Sequence, residues 1–414
     1  MRQKEFKKQM SILQRSLHNG PDSQYAEQLQ QIKQVYSKHI QQLITKLNDV
    51  GEEQKNVVLK QIKDADKLYL ETQSLEIKGH VLFTRHGKCS SWAQKRYGLS
   101  PNTSISEEAE KSMARTNQRT RALLFYAESN PPFIALSPMN RAIQTGGLLI
   151  PQEIKHAEIV IDPALAENSD APSGLDIRSR ADMKKLYAET SFWKNPLKKI
   201  LFLVSMWFYS DKDFQILYEK RQQAAAHINQ HGSNINTSKD QAGHPDVRQD
   251  LNYQGDKIKD TKKLIEHAES RDCWLFGHGK NFKAFFGKEL GITSSFAYGE
   301  TRSVYKITTN ADKPSLFSPP YSLVINQKTG QIEGKYTGIL GVSVNQPLTS
   351  PGKKKPTHSV STIMANLDAP IPQSRAQAKR KAEPKEKMAE SEQKTAHNPQ
   401  APEPEKHSTI SFRH

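Results

Sequence analysis

Val81-Leu82-Phe83-Thr84-Arg85-His86-Gly87 is the stretch on which the reading of this chain turns. An apolar, β-rich run of a few residues stops abruptly at an Arg-His pair and a glycine, the pattern of a buried strand that ends in a tight connection. Arg85 and His86 therefore stand at the carboxyl end of a strand, where open α/β sheets hold their ligands. Gly87 lets the backbone approach a bound group closely. A guanidinium fork suits phosphate oxygens, and a neutral imidazole is a competent nucleophile toward phosphorus.

Two other segments repeat the pattern. Ser137-Pro138-Met139-Asn140-Arg141-Ala142-Ile143-Gln144-Thr145 leaves an apolar strand and opens a helix with Arg141 in its first turn, near the anion-favouring helix N-terminus. Trp274-Leu275-Phe276-Gly277-His278-Gly279 is again strand, histidine, glycine. Strands are predicted at His80 to Thr84, Phe133 to Ser137, Glu158 to Ile161 and Cys273 to Phe276, with helices after them, and two more at Ser303 to Ile307 and Ser322 to Ile325. Such alternation predicts an α/β fold with a mostly parallel sheet flanked by helices. About residues 173–260 break the rhythm, helical and apolar around Trp193 to Tyr218 and polar from Gln222 onward. They read as an inserted helical cap ending in a mobile loop.

Ahead of this lies a helical extension, residues 1–78. Leu29, Ile32, Tyr36, Ile40, Leu43 and Leu47 recur every three or four positions on one long amphipathic helix, and a second helix from Glu52 to about Leu70 completes a hairpin. The stripe is expected to pack within the protein, with a protein partner on these helices as the other use. The main domain spans 79–348. After it, residues 349–414 are rich in proline, lysine and glutamate and nearly free of aromatic side chains, the composition of a disordered tail.

Of the 414 residues only 35% are hydrophobic, against about 45–50% with glycine in globular domains, as expected if part of the chain is solvated. The net charge of +16 is spread over extension, domain and tail as excesses of three, eight and five. So diffuse a balance attracts anions but lacks the basic stripe of a specific nucleic-acid reader. Cys89 and Cys273 build neither a disulfide framework nor a zinc site, so a reducing compartment is expected. Met1 to Met10 carries no apolar core of a secretory signal. The apolar run Ile200 to Tyr209 is about half of the roughly 20 residues a membrane span needs and reads as a buried helix. Phosphate-loop, dinucleotide, H-E-x-x-H and EF-hand motifs do not occur.

Together the Arg85-His86-Gly87, Ser137 to Thr145 and Gly277-His278-Gly279 segments resemble the histidine phosphatase superfamily, which includes the phosphoglycerate mutases. The resemblance covers about residues 79–345 without the insertion and implies a phosphoglycerate mutase-like fold. It implies a metal-independent phosphatase, without cofactor, acting on a phosphorylated substrate. His86 would become phosphohistidine while Arg85, Arg141 and His278 hold the phosphoryl oxygens. Glu167 is the expected proton donor, because Leu165-Ala166-Glu167 is similar to the family's L-x-E segment; Asp170 and Glu107 are the competing carboxyls. Lys88 stands where many relatives carry an acidic residue, which weakens a mutase reading, and Lys88-Cys89-Ser90-Ser91-Trp92 is closer to the small phosphohistidine phosphatases. Lys88 and Lys280 either add positive potential for a multiply anionic substrate or are solvated. The alternative is an inactive, phosphatase-like binding or effector protein working through its helices and tail. A cytoplasmic location is expected, or delivery into a host cell without a cleaved signal, since the polar tail looks like the export signal of a bacterial effector.

Overall fold

A computed structural model describes residues 3–89, 104–114, 131–151, 154, 156–167, 210–229, 255–308 and 315–343, with four isolated positions between 181 and 200. The tail, most of the insertion, Asp170 and Ser90 to Trp92 lie outside the described residues.

Three helices come first: α1 (Gln3–Asn19), α2 (Tyr25–Asp49) and α3 (Glu52–Thr72). The periodic residues from Leu29 to Leu47 are all buried along α2, packed against both neighbours and the sheet. Where the sequence predicts a hairpin, the structure has one helix more, because Phe6, Met10 and Leu17 give α1 a buried stripe of its own before Gly20-Pro21 ends it.

The described strands are β1 (Glu76–Arg85), β2 (Phe133–Leu136), β3 (Glu158–Ile161), β4 (Cys273–Gly277), β5 (Thr301–Thr308), β6 (Ser315–Ser318), β7 (Tyr321–Ile325), β8 (Ile332–Tyr336) and β9 (Gly341–Val342). They form one sheet in the order β3-β2-β4-β1-β5-β6-β9, with β7 joining β5 and carrying β8. Within it β3, β2, β4 and β1 run parallel, and the ladders beyond β1 are antiparallel. The fold is thus α/β, with a mixed sheet whose parallel half carries every strand end singled out above. Helices cover both faces. Leu82 belongs to the buried cluster that includes α1 to α3, of which α3 meets β1, whereas Val81 and Phe83 belong to the cluster on the other side with Phe282, Phe285 and Phe286 of α8 (Gly279–Leu290). That alternation follows from the two-residue period of a strand.

One buried carboxylate joins the helical layer to the sheet. Asp66 of α3 accepts hydrogen bonds from Tyr36 of α2 at 2.7 Å, Tyr305 of β5 at 2.5 Å and Tyr321 of β7 at 2.9 Å. Burial nonetheless pushes Asp66 up to about 7, against the three hydroxyls that favour its charged form.

The insertion departs from expectation where it is described. Helix α6 (Asp211–Asn229) continues through the stretch from Gln222 predicted to be loop, because Ala225 and Ile228 are buried and the helix packs on α5 (Asn140–Leu149). Contact is close: a Cβ at Gly147 of α5 would sit 3.1 Å from the Ala224 carbonyl oxygen. Ile200, the first residue of the run read as a buried helix, is 58% exposed, and residues 201–209 lie outside the described set. Among the described residues no helix is long and apolar enough to cross a membrane.

Candidate active site

Strand register assembles the site. Arg85 pairs with Gly277 across β1 and β4, so the next residues, His86 and His278, emerge side by side, ring centroids 5.0 Å apart. Leu136 of β2 pairs with Phe276, and the Ser137 N–H continues the ladder to the Phe276 carbonyl at 2.8 Å. Ser137 is thereby brought against His278, Oγ to Nε2, at 2.8 Å.

His86 is buried, and its Nδ1 lies 2.7 Å from the Gly87 carbonyl oxygen. A carbonyl only accepts, so Nδ1 carries the proton and the Nε2 lone pair is left free. Burial, then the Arg141 guanidinium, holds the His86 imidazole well below its ordinary value; Arg85 adds to this and the Gly87 hydrogen bond opposes it. His278 is pushed down by burial first, then by Arg141, His86, Lys257 and Arg85. Both rings are therefore neutral at neutral pH.

The segment from Ser137 to Thr145 explains itself piece by piece. Thr145 Oγ1 accepts the Gly87 N–H at 3.0 Å and donates to the Arg141 carbonyl at 2.6 Å, which ties α5 to the nucleophile loop. Gln144 Oε1 accepts the Ile105 N–H at 2.9 Å and fixes the far side of that loop. Arg141, 5% exposed, sits in the first turn of α5 with Nη2 on Glu167 Oε2 at 2.5 Å. The same carboxylate oxygen is 3.7 Å from His278 Nδ1.

Arg85 is gripped from three sides. Its Nη1 donates to the Phe296 carbonyl at 2.5 Å, its guanidinium carbon lies 3.8 Å from the centre of the Tyr298 ring, and Gly279 lies so close that a Cβ there would be 3.0 Å from Nε. The loop supplying Phe296 and Tyr298 is itself braced. Fully buried Glu300 takes Arg302 Nε at 2.7 Å and the Ala297 N–H, while Arg302 donates to Ser294 and Ser295. What remains of Arg85 is its Nε–Nη2 edge, the side that grips a tetrahedral oxyanion with two hydrogen bonds. Arg85 Nε, Arg141 Nε and His278 Nδ1 are buried and have no hydrogen-bond partner among the described residues.

Arg85, His86, Arg141, His278 and Glu167 are thus brought together. Glu107 is not: it lies 78% exposed in the first turn of α4 (Glu107–Ala114), 4.0 Å from Lys111. Lys88 and Lys280 are exposed, and Cys89 is buried with Sγ 3.9 Å from His86 Nδ1. Sequence reasoning missed Ser137 as partner of His278, the Tyr298 platform, and the clamp on Glu167. In that clamp Lys257 Nζ, from the first residue of α7 (Lys257–His267), donates to the Ala166 carbonyl at 2.8 Å and approaches that of Glu167 at 3.4 Å. Asn281 Nδ2 donates to the same Ala166 oxygen. A local signal existed for one of these: Asp256 is an N-cap that marks Lys257 as a helix start. Among the described residues no cluster of His, Cys, Asp and Glu suits a metal ion.

Residues 81–198 match the sequence profile described as histidine phosphatase superfamily (branch 1). No curated protein sequence matches the chain. Similar solved structures include a mycobacterial glucosyl-3-phosphoglycerate phosphatase in complex with VO3, at 12% identity over 56% of this chain and 100% of that one, TM-score 0.27. A Hafnia alvei phytase in complex with tartrate aligns at 11% identity over 72% of this chain and 99% of that one, TM-score 0.30. An open-reading-frame product of Mycobacterium tuberculosis aligns at 12% identity over 56% and 95%, TM-score 0.27.

Proposed function

From the membership of residues 81–198 in the histidine phosphatase superfamily, we propose that this protein hydrolyses a phosphomonoester through a phosphohistidine on His86. The observation that carries the reading is the set of three buried nitrogens without a hydrogen-bond partner among the described residues, Arg85 Nε, Arg141 Nε and His278 Nδ1, around an imidazole whose Nε2 is unprotonated. Buried donors without acceptors are costly in a finished fold, and an oxyanion satisfies all three at once.

In the proposed reaction His86 Nε2 attacks phosphorus in line while the bond to the ester oxygen breaks. Glu167, protonated in the complex, gives its proton to that oxygen as it leaves. The equatorial oxygens are held by Arg85, Arg141 and the Nδ1–H of His278, whose tautomer is set by the Ser137 hydroxyl donating to Nε2. These donors are fixed before reaction and meet the charge where it develops, so the scheme needs no metal ion. Glu167, now a carboxylate, then takes a proton from the water that attacks phosphohistidine; the N–P bond breaks and inorganic phosphate is released.

Hydrolysis of p-nitrophenyl phosphate by the parent and by His86→Ala tests this, with acid quench and mass spectrometry for a phosphoryl adduct. The expected result is turnover and an acid-labile adduct on His86 in the parent, and neither in the variant. Turnover surviving in His86→Ala refutes the role of His86. Phosphate binding without turnover of any phosphoester by the parent instead supports the phosphatase-like binding protein.

A further inference from the structure

Glu167 is placed as more than a waiting acid. Its Oε2 takes Arg141 Nη2 at 2.5 Å and lies 3.7 Å from His278 Nδ1, so one carboxylate oxygen stands between two of the groups assigned to a phosphoryl oxygen. Arg141 is consequently half filled. Nη2 is engaged while Nε, buried beside it on the same edge, is empty. Nη2 has a second N–H, but the carboxylate oxygen on the first also faces His278 Nδ1, so a dianion gripping the Nε edge and His278 would stand against a like charge in contact with the same two groups. We propose that Glu167 is an internal stand-in for the phosphoryl group, so that anion binding displaces it from Arg141 and makes it take up the proton it later donates.

Electrostatics gives the proposal its direction. Among the described residues, the charged and titratable groups facing Glu167 are Arg141 from α5, His278 at the end of β4 and Lys257 from α7, with Arg85 and His86 behind them at the end of β1. With the pocket free of anion, Arg141 stabilises a carboxylate. Once a dianion neutralises Arg141 and Arg85, the displaced carboxylate faces a like charge from a site where its side chain is 26% exposed, and a proton relieves the repulsion. Lys257 and Asn281 keep the backbone in place during this exchange, since both grip the Ala166 carbonyl rather than the moving carboxylate. The acid is then armed by the substrate itself.

The inference rests on reading the cluster as a phosphoryl site, and the probe is chosen to separate the two. Sulfate is tetrahedral and does not itself titrate near neutral pH. Its binding to the full chain and to Glu167→Gln is measured by calorimetry in two buffers of different ionisation enthalpy, which counts protons taken up. The expected result is at least about tenfold tighter binding by Glu167→Gln, the effect of removing one charged competitor from Arg141. Uptake by the parent should exceed that of the variant by roughly one proton, the remainder belonging to His86 and His278. Equal affinity, or equal proton uptake, overturns the inference while leaving the site reading intact. Failure of both proteins to bind sulfate removes the site reading and the inference with it.

Discussion

Ser137→Ala asks whether a hydroxyl that never touches phosphorus sets the chemistry of one that does. Ser137 Oγ accepts the Met139 N–H at 3.3 Å and lies 2.8 Å from His278 Nε2, to which it donates when the imidazole proton is on Nδ1. The proposed reaction uses that tautomer, because Nδ1 is the nitrogen that faces Glu167 at 3.7 Å and has no hydrogen-bond partner among the described residues. Alanine leaves Nε2 buried and bare, and the ring is free to adopt the opposite tautomer, with an Nδ1 lone pair turned toward a phosphoryl oxygen. A hydrogen bond to a charged group contributes about 1.5–3 kcal/mol, so its loss in the transition state corresponds to about 10- to 150-fold in kcat/KM. Steady-state kinetics with p-nitrophenyl phosphate, beside a thermal unfolding curve, supplies the number. A Ser137→Ala enzyme that folds normally and stays within about threefold of the parent would refute the tautomer argument, because an oriented donor cannot be worth so little in a buried site.

Three further outcomes follow from the same contacts. Gly279→Ala puts a Cβ 3.0 Å from Arg85 Nε, at a helix N-terminus whose backbone conformation alanine adopts readily, so the crowding falls on Arg85 and KM for a phosphoester rises roughly tenfold with a nearly unchanged unfolding midpoint; an unchanged KM would mean that Arg85 does not grip the substrate. Lys257→Met loosens the loop that carries Glu167, and its loss of kcat should be several times larger on an alkyl phosphate, whose leaving oxygen needs a proton, than on p-nitrophenyl phosphate; equal losses on the two substrates count against Glu167 as donor. Asp66, raised to about 7, binds its proton in the folded chain up to that pH but in the unfolded chain only to about 4. Between these values the native state holds more protons, so this group makes stability fall as pH rises. Asp66→Asn should flatten that slope in urea unfolding across the window; an unaltered slope would assign the proton elsewhere.

The parallel half of the sheet was readable because each strand there is a dense apolar run cut off by a polar residue that works at its end. Strands β6, β8 and β9 were not. Ile332-Glu-Gly-Lys-Tyr336 has little apolar content of its own and becomes a strand through tertiary contact: Asn48 of α2 bonds both the Gly334 N–H and its carbonyl, and a Cβ at Gly334 would meet Ile44 at 2.8 Å. No local pattern encodes an approach made by a helix nearly 290 residues away. Helix α6 was misread for a related reason. Gln222 and Gln223 look like loop, but the alanines after them favour helix and two residues of the turn find a surface on α5. At the site, the residues that act by charge were legible from their type and position. Those that act by orientation, Ser137, Lys257 and Asn281, announce themselves only once the strands are in register.

The place of β1 in the sheet has a consequence for how the chain is made. Its two flanking partners, β4 and β5, are encoded roughly 190 and 220 residues downstream, as the pairings of Val81 with Cys273 and Val304 record. At ordinary rates of synthesis of about 5–20 residues per second, both edges of β1 wait some 10 s or longer for a neighbour, open to any other extended chain nearby. What is already available is the trio of helices made just before it. Ile77 and Leu82 lie against that layer in the finished protein, so a nascent chain can bury one side of its central strand early and leave the side bearing Val81 and Phe83 for the last elements to cover.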